Sequence, residues 1–89
     1  MKNTNFEMWV ADCERNNVQI HQLDYDKHTD IGIYMIKIPY GYKGNYQYYN
    51  SYDSPVYQLW IGDKRSICME NYQEVYKIWE RLVSEGKNR

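Results

Sequence analysis

Apolar residues near the start of the chain repeat with the spacing of an α-helix. They are Phe6, Trp9, Val10 and Cys13, which fall at i, i+3, i+4 and i+7 and share one helical face. Thr4 followed by Glu7 is typical of a capping box, in which each side chain binds a free backbone amide at the helix start. Asn16 and Asn17 follow, and asparagine tolerates the left-handed conformation that ends many helices. Phe6, Met8 and Val10 also alternate as in a strand, but we favour the helix.

From Val18 the apolar period changes to two, which indicates β-strands. A first strand begins at Val18, and the polar residues 24–30 after it predict a turn. Residues 31–38 are rich in β-branched and aromatic side chains, which predicts a buried strand that Pro39 ends. Together these segments predict a hairpin.

A second hairpin follows a long polar segment. Residues 40–55 contain several Gly, Asn and Ser residues, which predict a loop or a weak edge strand around 46–49. Val56–Ile61 and Lys64–Met69 then predict two strands joined at Gly62-Asp63. Glycine in the first position of a two-residue loop fits a type II′ turn, which needs a positive φ there.

The last element is a strongly amphipathic helix, whose predicted buried stripe is Tyr72, Val75, Ile78, Trp79 and Leu82. Asn71 and Glu74 can cap its start, and Gly86 stands where a C′ glycine ends a helix. The pattern therefore predicts one α+β domain over residues 1–89, with an N-terminal helix, an antiparallel sheet of about four strands and a C-terminal amphipathic helix packed on the sheet. We expect both helices to lie on one face of that sheet.

Composition agrees with a folded, soluble protein. The chain has 89 residues, 43% of them hydrophobic, and 11 basic against 12 acidic residues give a net charge of −1. This balance argues against an obligate DNA binder, a membrane-surface binder and a polyanionic mimic of DNA. We expect Cys13 and Cys68 to be reduced thiols rather than a disulfide. No segment resembles a signal peptide or a membrane span, so we expect a cytoplasmic protein.

The sequence offers no complete set of catalytic or metal-binding residues. The weak candidates for a metal site are His21, Asp24, Asp26 and His28 in the polar turn. Their spacing lacks the Gly and Glu of a calcium loop and the further Cys or His of a zinc site. Cys13 and His21 could form a thiolate–imidazole pair, but Cys13 lies on the predicted buried stripe. We therefore expect no enzyme and no cofactor, with metal-dependent activity at this turn as the less favoured alternative.

Tyrosine is concentrated in residues 40–57, which we call the Tyr-rich segment. It holds seven of the 11 tyrosines, among Gly, Asn, Ser and Gln. Tyrosine gives a large contact area at low entropic cost, and small polar neighbours adapt their hydrogen bonds, as in antibody binding loops. The predicted partner-binding residues are Tyr40, Tyr42, Tyr46, Tyr48, Tyr49, Tyr52 and Asp53. The alternative for several of these rings is that they only cover a sheet edge.

The same tyrosines could instead stack on the bases of a single-stranded nucleic acid. Stacking sites normally accompany a basic groove, and the feature closest to one is the group formed by Trp60, Lys64 and Arg65. That group is small in a nearly neutral chain. A single-stranded nucleic-acid binder or small regulator is therefore the second hypothesis.

Residue types with AT-rich codons (Phe, Tyr, Met, Ile, Asn and Lys) number 39, against 12 for Gly, Ala, Arg and Pro. This bias is typical of low-GC bacteria and their phages. The first hypothesis is therefore a small non-enzymatic protein-binding module, a phage or mobile-element type of inhibitor acting on a larger bacterial protein or nucleoprotein complex. It is comparable with anti-CRISPR proteins in size and composition only. We expect a monomer, with a homodimer through Tyr76, Trp79 and Val83 as the alternative.

Overall fold

A computed structural model describes residues 4–42, 44 and 55–87. Its elements are α1 (Asn5–Arg15), β1 (Gln19–Asp26), β2 (Ile31–Lys37), β3 (Val56–Ile61), β4 (Lys64–Met69) and α2 (Tyr72–Lys87). The four strands form one antiparallel sheet in the order β1-β2-β3-β4, so strands that follow each other in the chain are neighbours. The predicted α+β class, with a helix before and after a four-stranded sheet, is confirmed.

Helix α1 forms where the sequence predicted it, and local residues cap both of its ends. The Thr4 hydroxyl accepts a hydrogen bond from the Glu7 amide at 3.0 Å, and the Glu7 carboxylate accepts one from the Thr4 amide at 3.3 Å. At the other end Asn17 has a φ of 60°. The Val18 amide then donates to the Cys13 carbonyl at 2.8 Å, which is the outer bond of a Schellman motif. The helix is confirmed, and the strand alternative is wrong.

The turn between β3 and β4 ties α1 to the sheet. The φ of Gly62 is 60°, whereas the φ of Asp63 is not positive. This combination agrees with the predicted type II′ turn. The two carboxylate oxygens of Asp63 accept hydrogen bonds from the backbone amides of Asn5 and Phe6, each at 2.9 Å. A carboxylate at this position also meets the positive end of the helix dipole. Asp63 therefore binds amides that a helix start leaves without intrahelical partners.

Strand β1 is longer than predicted, because the polar turn is confined to residues 27–30. The pairing of β1 with β2 is irregular at Leu23, since Gln22 pairs with Tyr34 and Asp24 pairs with Ile33. An extra residue of this kind is a β-bulge, and it changes which face the following side chains occupy. The polar residues that suggested a turn thus lie on an edge strand, where polar side chains are tolerated.

The two helices lie on opposite faces of the sheet, so the prediction that they share a face is wrong. Helix α1 covers the α1-side core, whose strand residues include Tyr34, Ile36, Val56 and Trp60. Helix α2 covers the α2-side core, whose strand residues include Ile31, Ile33 and Leu59. These sets alternate along β2 and β3, and alternating side chains point to opposite faces. The almost continuous apolar run of β2 reflects burial on both faces.

Helix α2 uses a wide apolar arc to cover its face of the sheet. Val75 is fully buried, and Val83 is 8% exposed. The indole Nε1 of Trp79 donates to the carbonyl of Ile31 at 2.7 Å, and the Tyr76 ring lies 5.5 Å from the Trp79 ring between centroids. The side chains that suggested a homodimer therefore pack against the sheet of their own chain.

The ends of α2 confirm one predicted cap and contradict the other. The Asn71 side-chain oxygen accepts a hydrogen bond from the Glu74 amide at 3.2 Å, as predicted. Gly86 is not the C′ residue, because the helix continues through it to Lys87. Its missing side chain instead permits a close approach to the β1–β2 turn, where a Cβ at Gly86 would lie 2.6 Å from Thr29 Cγ2.

The edge strand β4 also contains an irregularity, and a buried side chain compensates for it. The register of β4 against β3 shifts between Gln58 and Trp60. Gln58 is 1% exposed, and its Nε2 donates to the carbonyls of Ser66 and Ile67 at 3.1 and 2.9 Å. The side-chain amide thus replaces ladder bonds that the bulge interrupts, as a buried polar group requires.

Candidate interaction surface

The Tyr-rich segment begins where β2 ends and continues into β3, so it connects the two central strands of the sheet. The strand ends that flank it are firmly held, since Ile36 pairs with Val56 and both are at most 1% exposed. Binding loops are commonly mounted in this way on a rigid scaffold. Of the predicted partner-binding residues, the structure describes Tyr40 and Tyr42. The others, Tyr46, Tyr48, Tyr49, Tyr52 and Asp53, lie outside the described residues.

The two described tyrosines at the start of the segment have different environments. Tyr40 is 82% exposed, whereas Tyr42 is half-buried and packs on the α1-side core. A turn separates them, in which Gly41 has a φ of 88° and the Tyr42 amide donates to the Pro39 carbonyl at 3.2 Å. A side chain at Gly44 would collide with the Tyr42 ring. Tyr42 therefore covers the core, as the alternative expected for some rings, and Tyr40 is presented to solvent.

The last tyrosine of the segment belongs to the packing of α2. Tyr57 lies on β3, and its ring centroid is 5.3 Å from that of Tyr72. Tyr72 in turn lies 5.9 Å from Tyr76. This row of rings joins the sheet to α2, so Tyr57 contributes to the packing of α2 on the sheet.

The structure does not bring the four weak metal candidates, His21, Asp24, Asp26 and His28, into one site. Asp24 accepts a hydrogen bond from the Tyr72 hydroxyl, which raises the pKa of Tyr72 to about 12. Asp26 accepts from the Thr29 hydroxyl and amide at 2.7 and 2.8 Å, and Lys87 Nζ lies 3.2 Å away. Among the residues that the structure describes, no three His, Cys, Asp or Glu side chains are grouped so that they could hold a metal ion.

Neither cysteine forms a disulfide, as predicted, and Cys13 is poorly suited to nucleophilic chemistry. It is 4% exposed, and burial raises the pKa of its thiol to about 11, with Asp12 adding to the effect. The thiolate is the reactive form, so Cys13 is inert near neutral pH. Cys68 is partly buried on the same α1-side core.

Of the three residues assigned to nucleic-acid binding, Trp60 is not available for base stacking. Trp60 is 3% exposed, and its ring lies 5.2 Å from Phe6 and 5.3 Å from Trp9 between centroids. A base cannot stack on a ring that is enclosed in this way, because stacking needs an open face. Lys64 and Arg65 are exposed.

A second surface, which the sequence did not reveal, lies at the opposite end of the sheet from the Tyr-rich segment. It is a groove of about 450 Å³ between the start of α1 and the β1–β2 turn. We call it the aromatic–acidic groove, because its lining includes the rings of Phe6, Tyr25, Tyr34 and Trp60 and the carboxylates of Glu7, Asp30 and Asp63. The sequence feature that could have indicated this groove is Gly32, because an isolated glycine within an apolar strand often marks a site where a ligand or another backbone approaches closely.

Neither helix in the described ranges is long and apolar enough to cross a membrane. A fold of this kind does not by itself specify an activity, which depends on the residues at its surfaces. No protein-family model, no curated protein and no solved structure matches the chain.

Proposed function

We propose that this protein is a small non-enzymatic binding module whose Tyr-rich segment occupies a surface of a larger protein. The observation that carries the proposal is the 82% exposure of Tyr40 at the start of the connection between the two central strands. Tyr40 is the first of the seven tyrosines of this segment, and tyrosine is enriched among the residues that dominate binding energy at protein interfaces. Tyr42, packed on the α1-side core, fixes the start of the segment relative to the sheet.

The proposal includes the setting in which such a module acts. The bias toward AT-rich codons supports a cytoplasmic phage or mobile-element type of inhibitor, directed at a bacterial machine or defence system. An inhibitor that acts by occupying a surface needs no catalytic residue and no cofactor, and the proposal assigns none. The burial of Cys13 and the engagement of Asp24 and Asp26 by neighbouring side chains are consistent with this role.

The experiment is an affinity capture from the lysate of a low-GC bacterium, with and without nuclease, quantified by mass spectrometry. The tagged wild-type protein is compared with a variant in which Tyr46, Tyr48 and Tyr49 are changed to Ala. We expect one discrete protein to be retained under both conditions, and at least about tenfold less of it on the triple variant, because aromatic anchors dominate interface energies. A Tyr40→Ala variant tests the described residue in the same way.

A Met8→Ala variant is the matched control, because Met8 is an apolar side chain that is 59% exposed on α1. It should retain the captured protein, and circular dichroism melts should be similar for all variants. Undiminished capture by the triple variant would place the binding surface elsewhere. A signal that disappears with nuclease, and that weakens steeply with salt, would support the nucleic-acid hypothesis with Lys64 and Arg65 instead.

A further inference from the structure

We propose that the aromatic–acidic groove binds a basic peptide segment of a partner protein by enclosing one arginine or lysine side chain. The groove lies at the end of the sheet that carries the β1–β2 and β3–β4 turns, whereas the Tyr-rich segment connects the strands at the other end. The inference therefore stands apart from the function proposed for the Tyr-rich segment.

The walls of the groove are suited to the apolar stem of a long basic side chain. Tyr34 packs 5.1 Å from Phe6 between centroids, and Tyr25 is 40% exposed at the rim. Both tyrosines lie close to Gly32, where a Cβ would come within 3.0 Å of Tyr25 Cδ1 and 3.2 Å of the Tyr34 hydroxyl. Aromatic faces attract ammonium and guanidinium groups, and the methylene stems of Lys and Arg pack well on apolar surfaces.

The charge of the groove selects a cationic ligand. Three carboxylates line it, and none of the described residues that line it is Lys, Arg or His. Asp30 accepts a hydrogen bond from the Tyr25 hydroxyl at 2.7 Å, and Glu7 accepts one from the Thr4 amide. These donors are neutral, so within the described residues no ion pair offsets the negative charge of either carboxylate. Charge-assisted hydrogen bonds to a guanidinium or ammonium group would compensate it.

Trp60 supplies an independent reason to expect a peptide rather than a simple cation. It lines the groove, is 3% exposed, and its buried Nε1 has no acceptor within the described ranges. An unsatisfied buried donor costs free energy. A peptide whose binding moves the enclosing rings apart can bring a backbone carbonyl to Nε1 beside its basic side chain, whereas a metal ion or a free ammonium ion carries no such acceptor.

The experiment titrates ¹⁵N-labelled protein with a capped Gly-Ser-Arg-Ser-Gly peptide and with the same peptide containing citrulline, the neutral isostere of arginine. We expect the arginine peptide to shift the amide signals of Phe6 and Gly32 and the indole N–H signal of Trp60. We expect the arginine peptide to bind with a Kd on the order of 1 mM, because it contributes only one enclosed side chain. The citrulline peptide should bind at least about tenfold more weakly, and salt at about 0.5 M should weaken the arginine peptide.

The test variant combines Glu7→Gln and Asp30→Asn, which remove the charges and keep the local structure. Glutamine can still complete the capping box, and asparagine tolerates the positive φ of 59° at Asp30. We expect this variant to bind the arginine peptide about tenfold more weakly. Glu14→Gln is the matched control, since Glu14 is exposed on the same helix and does not line the groove, and it should bind as the wild type does.

The proposal would be overturned by equal binding of the arginine and citrulline peptides, by full affinity in the double variant, or by shifts confined to the Tyr-rich end of the sheet. The Tyr46, Tyr48 and Tyr49 triple variant should bind the peptide as the wild type does. Loss of peptide binding in that variant would also contradict the inference. Because peptide binding and protein capture are measured separately on this variant, failure of the groove can be distinguished from failure of the Tyr-rich surface.

Discussion

Gln58 is a single side chain on which the β4 edge of the sheet depends. Its amide donates to the carbonyls of Ser66 and Ile67, where the register of the edge strand shifts. We expect Gln58→Leu to lower the free energy of unfolding by about 1–3 kcal/mol, because leucine fills a similar volume and leaves both carbonyls without this donor. Urea unfolding followed by tryptophan fluorescence measures the loss.

Gln73→Leu is the control for this change, because Gln73 is exposed on α2. Its stability should stay within about 0.5 kcal/mol of the wild type. A Gln58→Leu variant as stable as Gln73→Leu would mean that the side-chain amide does not support the bulge. Nothing in the sequence near Gln58 indicated this role, since a polar residue within a strand usually faces solvent.

At the scale of elements, the β1–β2 turn and the end of α2 hold each other in place. Asp26 accepts two hydrogen bonds from Thr29 and lies 3.2 Å from Lys87 Nζ, while Gly86 lets the helix pack against Thr29. The hydrogen bonds from Thr29, together with Lys87, hold the pKa of Asp26 at about 2, below its ordinary value of 3.8. The turn and the helix end are thus linked through one ionised carboxylate.

This linkage predicts a pH dependence with a definite sign. A carboxyl group whose pKa is lower in the folded state stabilises the fold above its unfolded pKa, and this stability is lost as the pH falls through the folded pKa. The urea midpoint of the wild type should therefore fall between about pH 4 and about pH 2. Asp26→Asn should flatten this part of the profile. Asp12→Asn, which removes only an exposed ion pair with Arg15, should keep the wild-type slope, and an unchanged slope in Asp26→Asn would contradict the assignment.

At the scale of the whole molecule, the main feature is a sheet covered by one helix on each face. Ile33 and Ile36 lie on opposite faces of β2, and each is 0% exposed. We expect Ile33→Ala and Ile36→Ala each to destabilise the protein by about 2–5 kcal/mol, because each leaves a cavity in its own core. Equilibrium urea unfolding measures both losses.

Ile61→Ala is the comparison for these two changes, since Ile61 is 38% exposed at the end of β3 and should cost less. If either alanine variant does not fold, the corresponding valine variants should still show losses of about 0.5–1.5 kcal/mol. A negligible loss at one of the two isoleucines would mean that one face of the sheet is open to solvent.

The sequence by itself determined the local structure of this protein. The capping box at Thr4, the left-handed end of α1 at Asn17, the turn at Gly62 and the start of α2 at Asn71 all follow from residues within a few positions of each other. Such signals need no knowledge of distant contacts, because the hydrogen bonds involved close within one turn of chain. The same local patterns predicted the helices, the strands and their antiparallel pairing.

Only the tertiary structure decided what depends on residues distant in the chain. Asp63 caps a helix that begins 58 positions earlier, Gly86 is set by its approach to Thr29, and Gln58 is set by a bulge in the next strand. The aromatic–acidic groove likewise assembles side chains from α1, three strands and two turns. The apolar pattern of β2 is visible in the sequence, but its burial on both faces depends on where the two helices pack. The reason is that an apolar side chain does not specify which element will cover it.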